Sequence, residues 1–347
     1  MSREKQRALK QSVAPYAKSN TKIGVFQLIN TLVPFLIMWF LAYQSLTISV
    51  VLSLVCSVIA AGFVVRTFII FHDCTHGSFL KSPKWNRLIG NVTGVLTHFP
   101  FEKWKHSHSI HHATSGNLDK RGTGDIWVMT VDEYKEASSF ERLKYRLYRN
   151  PLILFGLGPL YLFLIENRIN CKGAKRKERY NTYVTNICIV LIYVGMSMFV
   201  GWEAFLLVQL PIMYVSGAAG IWLFYVQHQF EDSYFENDHE WDFVKAAVDG
   251  SSYYKLPKII QWLTGNIGYH HVHHLSPKVP NYYLEKTHEN TPPLQTATTI
   301  TLKKSLESIS FRLYDEENQT FISFKEMKLA NRLQSIRRSR GRTNRVG

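Results

Sequence analysis

Two stretches of this 347-residue chain are almost without charge. Residues 23–71 hold one basic residue, Arg66, and no acid; residues 183–227 hold no basic residue and one acid, Glu203. A water-soluble fold has no reason to leave surfaces of that length uncharged, and each block is about twice the roughly 20 apolar residues that span a bilayer. Cysteine is scarce as well. Cys56, Cys74, Cys171 and Cys188 form no C-x-x-C pair, which argues against a disulfide framework or thiolate-bound zinc and suits a reducing, cytoplasm-facing environment. Each reads as a small buried apolar side chain. No solenoid repeat or low-complexity linker is visible, and 46% hydrophobic with 14% aromatic residues excludes collagen-like and disordered chains. The mean hydropathy is nevertheless slightly negative, because the two apolar blocks alternate with strongly polar segments.

Each charge-poor block reads as a helical hairpin, with spans at 24–45 and 47–71 and at 183–200 and 204–226. The N-terminal Met-Ser-Arg-Glu-Lys-Gln-Arg stretch is too polar for a cleaved leader, so the first hairpin is expected to be retained. Most of the net charge of +15 lies in 3–22, 172–179 and 328–345. By the positive-inside rule both connectors then face out, while the N-terminus, the segments 72–182 and 227–310 and a basic tail at 328–347 face the cytoplasm. The expectation is an all-α integral protein of the cell membrane, a single domain over 1–347 with four spans and a cytoplasmic histidine-rich cap. Leu88–Pro100 and Pro151–Ile165 are apolar but short, and read as interfacial or re-entrant; counting both as spans gives a six-span alternative. No zinc finger, recognition helix or RNA-binding signature accompanies the basic residues, so nucleic acid is not an expected partner.

Against this background the fourteen histidines are far from evenly spread. His72 and His76 stand in His-Asp-Cys-Thr-His after the second span, and His108, His111 and His112 in His-Ser-Ile-His-His. His270, His273 and His274 stand in His-His-Val-His-His, and His228 follows the fourth span at once. All fall at cytoplasmic membrane boundaries in the topology drawn from charge alone. On a helix, His72 and His76 at i and i+4 share a face and can share a metal. In His-x-x-His-His the i, i+3 pair is expected on one face, with the last histidine rotated onward to reach a second metal or the far side of the first. One such pair arises by chance; two H-x-x-H-H boxes, one H-x-x-x-H and a further histidine at one membrane face do not.

Imidazole suits iron, copper, zinc and nickel alike. A zinc hydrolase uses about four ligands including an open position, fewer than are present. Bundle-type di-iron proteins use Glu and Glu-x-x-His ligands, which are missing. A two-iron, oxygen-activating site built from nitrogen ligands is the reading that uses the excess. His98, His106, His239 and His288 fit no box and default to surface or supporting roles; His271 is expected to point away from the metals.

The boxes His72–His76, His108–His112 and His270–His274, in this order between two hairpins, resemble those of the membrane fatty acid desaturases. Within that family the stretches 71–76, 106–127 and 265–282 are most similar to the acyl-lipid Δ5 desaturases of bacilli. The resemblance implies two non-haem irons held by His72, His76, His108, His111, His112, His270, His273 and His274, with His228 as ninth ligand. It implies O2 as oxidant and a cis double bond introduced into saturated chains of membrane phospholipid. It also implies a separate electron donor, ferredoxin or flavodoxin, and a role in membrane fluidity on cooling. Relatives acting on acyl-CoA carry an Asn one turn before the isolated histidine, holding a metal-bound water; here that position is Phe224, and Asn266, one turn before His270, is the candidate substitute.

The residues themselves add candidates. Asp73, Asp125, Glu231 and Asp232 can accept ring N–H bonds from ligating imidazoles, Asp73 first because two histidine ligands flank it. Phe35, Trp39, Trp222, Phe224 and Tyr225 can line an acyl tunnel between the spans, and the 172–179 run can meet lipid phosphate or an acidic electron carrier. A hydroxylase on the same ligands is the rival enzyme, separable only by product. A histidine-rich metal transporter is the rival of another class, and it predicts ionisable groups at mid-span that are almost absent here.

Overall fold

The computed structural model describes residues 2–330, 332 and 333, so the basic tail at 328–347 lies largely outside the described residues. The chain opens with α1 (Arg3–Val13), whose N-cap Ser2 accepts from the Lys5 amide. Among the described residues four helices are long and apolar enough to cross a membrane: α2 (Thr21–Ser45), α3 (Val50–His76), α9 (Arg176–Val200) and α10 (Trp202–His228). Asn20 starts α2 by accepting from the amides of Lys22 and Ile23 at 3.0 and 3.3 Å. Pro34 and Pro211 sit inside α2 and α10, positions that membrane helices tolerate. The outward faces are apolar: Phe26 on α2 and Leu191 and Phe199 on α9 are exposed, as lipid-facing residues should be.

The expected spans shift at their polar ends. The second begins at Val50 rather than 47 and runs through the first histidine box to His76. Nothing in His-Asp-Cys-Thr-His breaks a helix; the stop is Gly77, left-handed at φ 65°, with the Ser78 amide donating back to the Asp73 carbonyl at 3.0 Å. The third span begins at Arg176, because charge outside the bilayer does not interrupt a helix, and the Glu178 carboxylate accepts from the Lys175 amide at its start. The fourth ends on His228 itself. The histidines at these two boundaries are therefore the last turns of the spans, not residues after them.

Leu88–Pro100 falls within α4 (Pro83–Leu96) and the turn after it; at 14 residues α4 is too short to span. Pro151–Ile165 becomes a π-helical run Leu152–Leu157, a short α8 (Gly158–Tyr161) and a second π-helical run Leu162–Glu166. With α7 (Ser139–Tyr148) it forms a pair bent by 60°, counted at most as one broken span or a re-entrant loop. Four or five crossings are thus available by length among the described residues, and the six-span alternative fails on α4.

The central helix is α3, packed on α2, α10 and α4. Beyond its histidine-bearing end lie α5 (Phe101–Thr114), α6 (Val131–Glu136), α11 (Phe243–Val248), α12 (Lys258–Leu263), α13 (His270–Leu275), α14 (Asn281–Glu289) and α15 (Leu302–Ser305). Short strands tie the cap together. β1 (Met129–Thr130) pairs parallel with β4 (Leu313–Asp315), which pairs antiparallel with β5 (Thr320–Ile322); β2 (Tyr253–Lys255) pairs parallel with β3 (Thr299–Thr301). Strands of two or three residues are too short to leave a period in the sequence.

Candidate metal centre

Four elements deliver nine imidazoles to one place: α3, α5, the end of α10, and α13. Two groups result, each with its ligand atoms within 4.8 Å of one another. His72, His76, His108, His112 and His273 form one; His111, His228, His270 and His274 form the other. These are the nine histidines singled out from the sequence. The division inside the boxes differs from the expected one. In both H-x-x-H-H boxes the first and last histidines, at i and i+4, join the same group, and the middle one crosses to the other group. On a helix i+4 lies about 40° from i and i+3 about 60° to the other side, so a shared metal selects the closer pair and the adjacent residue faces the neighbouring group. The groups are thereby interlocked, α5 giving two residues to the first and one to the second, and α13 the reverse.

Inside, the Nε2 atoms converge. His108 and His112 approach to 3.0 Å, His112 and His273 to 2.9 Å, His228 and His270 to 3.0 Å, and His270 and His274 to 3.1 Å. The outer nitrogens explain this aim. His72 Nδ1 meets Asp73 Oδ1 at 3.1 Å, His111 Nδ1 meets Asp125 Oδ1 at 2.5 Å, and His228 Nδ1 lies 3.1 Å from the Gly250 carbonyl. A proton held on Nδ1 leaves Nε2 as the free lone pair. Burial first, and neighbouring imidazoles second, push His108, His112, His270, His273 and His274 well below the usual imidazole range. They are neutral at pH 7, the form that binds metal. The Nε2 atoms of His76, in the first group, and His111, in the second, are buried without a hydrogen-bond partner, a cost that a cation in each group removes. The residues present fit a pair of metal ions.

The other sequence candidates divide. Asp73 is buried at the site, its Oδ2 accepting from both the amide and the side chain of Asn281 at 2.6 and 2.8 Å, and Asn281 is held in turn by Gln27 Nε2 on α2 at 2.8 Å. Asp125 belongs to the site through His111. Glu231 does not: it is exposed, and its backbone carbonyl takes the Phe321 amide at 2.9 Å. Asp232 is exposed too. Asn266 stands in the left-handed region at φ 59°, and its amide donates to the Asn281 carbonyl at 3.3 Å, outside both histidine groups. Phe224 packs its ring on His111 and His228 at 5.1 and 5.4 Å, so an apolar face meets the four-histidine group there.

His271 turns outward as expected, with Nε2 3.0 Å from His288 Nδ1, and burial lowers it to about 3. His106 and His239 are exposed, whereas His98 is buried against Phe163 and Tyr193 rather than at the surface. Trp39 and Trp222 spend their indole N–H groups on Gln209 at 3.0 Å and on the Tyr254 hydroxyl at 3.2 Å; Phe35 packs in the transmembrane core and Tyr225 is buried beside Arg149. Two contributors escaped the sequence reading. Asn281 carries no spacing signal, since its partner is 208 residues away. Trp104, stacked on His108 at 4.1 Å, was legible as an aromatic one turn before a ligand.

A family model described as fatty acid desaturase matches residues 47–301, which include both histidine groups. The chain is 62% identical over 324 residues to a fatty acid desaturase of Bacillus subtilis, covering 93% of this chain and 92% of that protein. It is 29% identical over 241 residues to the sn-1 acyl-lipid omega-3 desaturase (ferredoxin) of Synechocystis sp., covering 65% and 64%. With the sn-1 oleoyl-lipid 12-desaturase of Synechocystis sp. it shares 25% over 277 residues, covering 75% and 76%.

Proposed function

The chain belongs to the fatty acid desaturase family and is an oxidoreductase, and from that membership we propose that it is an oxygen-dependent acyl-lipid desaturase with two irons. The observation that carries the proposal is the five-plus-four division of nine imidazoles, eight of them buried. Two bound irons supply the redox chemistry that reduces dioxygen and takes hydrogen from an unactivated methylene pair. The balance is simple: the acyl chain gives up two hydrogens, dioxygen takes these with two electrons and two further protons, and two waters leave. Everything else falls to the protein.

His72, His76, His108, His112 and His273 would hold one iron, and His111, His228, His270 and His274 the other. Asp73, Asp125 and the Gly250 carbonyl fix the imidazoles of His72, His111 and His228 with Nε2 inward. Phe224 and Trp104 pack on the ligands and keep water from a site that must stay dry during hydrogen abstraction. Because α3 and α10 deliver ligands from their last turns, a chain drawn from the bilayer meets the irons at the membrane face. The 172–179 basic run supports a cytoplasmic position for that face at the cell membrane. The ferredoxin in one relative's name supports a ferredoxin- or flavodoxin-type donor, and the acyl-lipid names of two support a phospholipid-linked substrate. The Δ5 position and the fluidity role rest on the sequence resemblance.

The test is gas chromatography with mass spectrometry of lipids from a desaturase-free host expressing the chain, beside His111→Ala. A new cis-monounsaturated chain absent from the variant is expected. Hydroxylated lipid would move the protein to the rival enzyme class, and unchanged lipid despite bound iron and a supplied donor would overturn the reading.

A further inference from the structure

Beside the four-histidine group lies a narrow cleft onto which His111 and His228 open. Its walls are apolar, formed by Ile126, Val128, Phe224 and Phe235. One cation interrupts them. Arg121 lines the cleft with a guanidinium whose Nη2 is bound to the Glu133 carboxylate and whose Nη1 is buried without any hydrogen-bond partner. The anchor is itself held: the second oxygen of Glu133 accepts from the Thr130 amide at 2.8 Å, in the capping box that starts α6.

Charge decides what this free N–H can take. Arg121 is matched by Glu133, and the other acid of the cleft, Asp125, is engaged with His111 Nδ1 and the Gly122 amide. The Arg121 charge is thus already balanced by carboxylates, and the guanidinium offers a phosphate no spare positive charge. A buried N–H still requires an acceptor, and a neutral carbonyl supplies one without bringing charge. Gln229, also on the lining, is already committed to Arg149 at 2.9 Å.

We propose that Arg121 Nη1 donates to the ester carbonyl of the lipid-linked acyl chain. Resting on the acyl-lipid reading above, this makes Arg121 the residue that sets the register. With the carbonyl pinned at Arg121 and the chain running past His111 and His228 on the same lining, the number of carbons between them is fixed, and so is the double-bond position counted from the carboxyl end. Arg121 is thus a specificity-determining residue, remote from the reacting carbons.

The experiment compares an ester-linked phospholipid with its ether-linked analogue, which lacks the carbonyl, and needs no altered protein. Wild-type enzyme should give a single positional isomer from the ester and a spread of isomers, at about tenfold higher KM, from the ether. Arg121→Gln, checked for unchanged iron content, should spread the isomers from the ester as well. Native mass spectrometry of the metal-free wild-type protein should show the ester preferred about tenfold over the ether, a preference lost in Arg121→Gln. The same single isomer from both lipids, or from both proteins, would overturn the proposal. If wild-type protein forms no unsaturated product at all, the acyl-lipid reading fails instead, and the binding preference still decides whether Arg121 recognises a carbonyl.

Discussion

His111 and Asp125 meet at 2.5 Å across the edge of the four-histidine group, and the proton between them fixes which nitrogen faces inward. Asp125→Asn keeps the shape but offers an amide that can donate to Nδ1, favouring the tautomer with its lone pair pointing the wrong way. Iron affinity should fall by about 10- to 100-fold, read by iron titration of purified protein, with secondary structure unchanged. Among the acids, Asp73 and Asp125 were legible from their closeness to the boxes, while Glu231, three residues from His228, was not: a chain leaving a helix end can turn either way, and here it turns the carboxylate to solvent. His98 offers a second test. Burial, then the charge of Arg168, lowers it to about 3 from the usual 6.5, so the folded protein refuses a proton that the unfolded chain accepts. Its contribution is intact above pH 6.5 and is lost as pH falls from 6.5 towards 3, by up to about 1.4 kcal/mol per pH unit. His98 is left-handed at φ 64°, a conformation Asn tolerates, so His98→Asn should fold and show a flatter fall of thermal midpoint between pH 7 and 5 than wild type. An equal slope would remove His98 as a source of acid lability.

At the scale of elements, helix ends do much of the positioning. α4 stops where the Phe99 amide donates to the Gly94 carbonyl at 2.7 Å and His98 takes the left-handed position, and the chain re-enters α5 three residues later to present the second box. Gly94 allows this: a Cβ there would stand 2.5 Å from the Phe99 carbonyl oxygen and 3.0 Å from the Phe71 ring. Gly94→Ala should therefore destabilise by about 1–3 kcal/mol, whereas Gly195→Ala on the lipid-facing α9, where a Cβ meets nothing within 4 Å, should be neutral or stabilising by up to about 1 kcal/mol. Thermal unfolding in detergent separates the two. The four long helices were readable because charge is excluded from their middles, but their ends were not: hydropathy stops at the membrane, while the hydrogen-bonded ladder continues to Gly77 in α3 and back to Arg176 in α9. Membership of the histidine groups was readable for the same reason that its internal division was not. Spacing says which residues share a helix; which of i+3 and i+4 joins the first residue depends on where α5 and α13 stand relative to each other, which is tertiary information.

For the whole molecule, the sequence pattern carried the two hairpins and the nine histidines to one membrane face, and long-range packing supplied the rest: the short cap strands, Asn281 beneath Asp73, and the cleft behind Arg121. The proposed orientation rests on charge and has a natural reporter. Of the four cysteines, Cys171 is exposed, Cys74 is buried, and Cys56 and Cys188 are intermediate within the spans. Cys171 sits in the turn between Glu166 and Arg176, directly before the basic run at 172–179. If that run is held inside by the positive-inside rule, a membrane-impermeant maleimide should leave Cys171 unlabelled in intact spheroplasts and label it in inside-out vesicles, with Cys171→Ser abolishing the signal. An engineered cysteine at Trp202, 63% exposed at the opposite end of the hairpin, should show the reverse pattern. The pair is needed because each position controls for access at the other. Labelling of Cys171 in intact spheroplasts together with protection of position 202 would invert the topology and put the histidine groups on the outer face, where no cytoplasmic electron carrier could reach them. The proposed donor would then fall with the orientation, even though the metal site itself would stand.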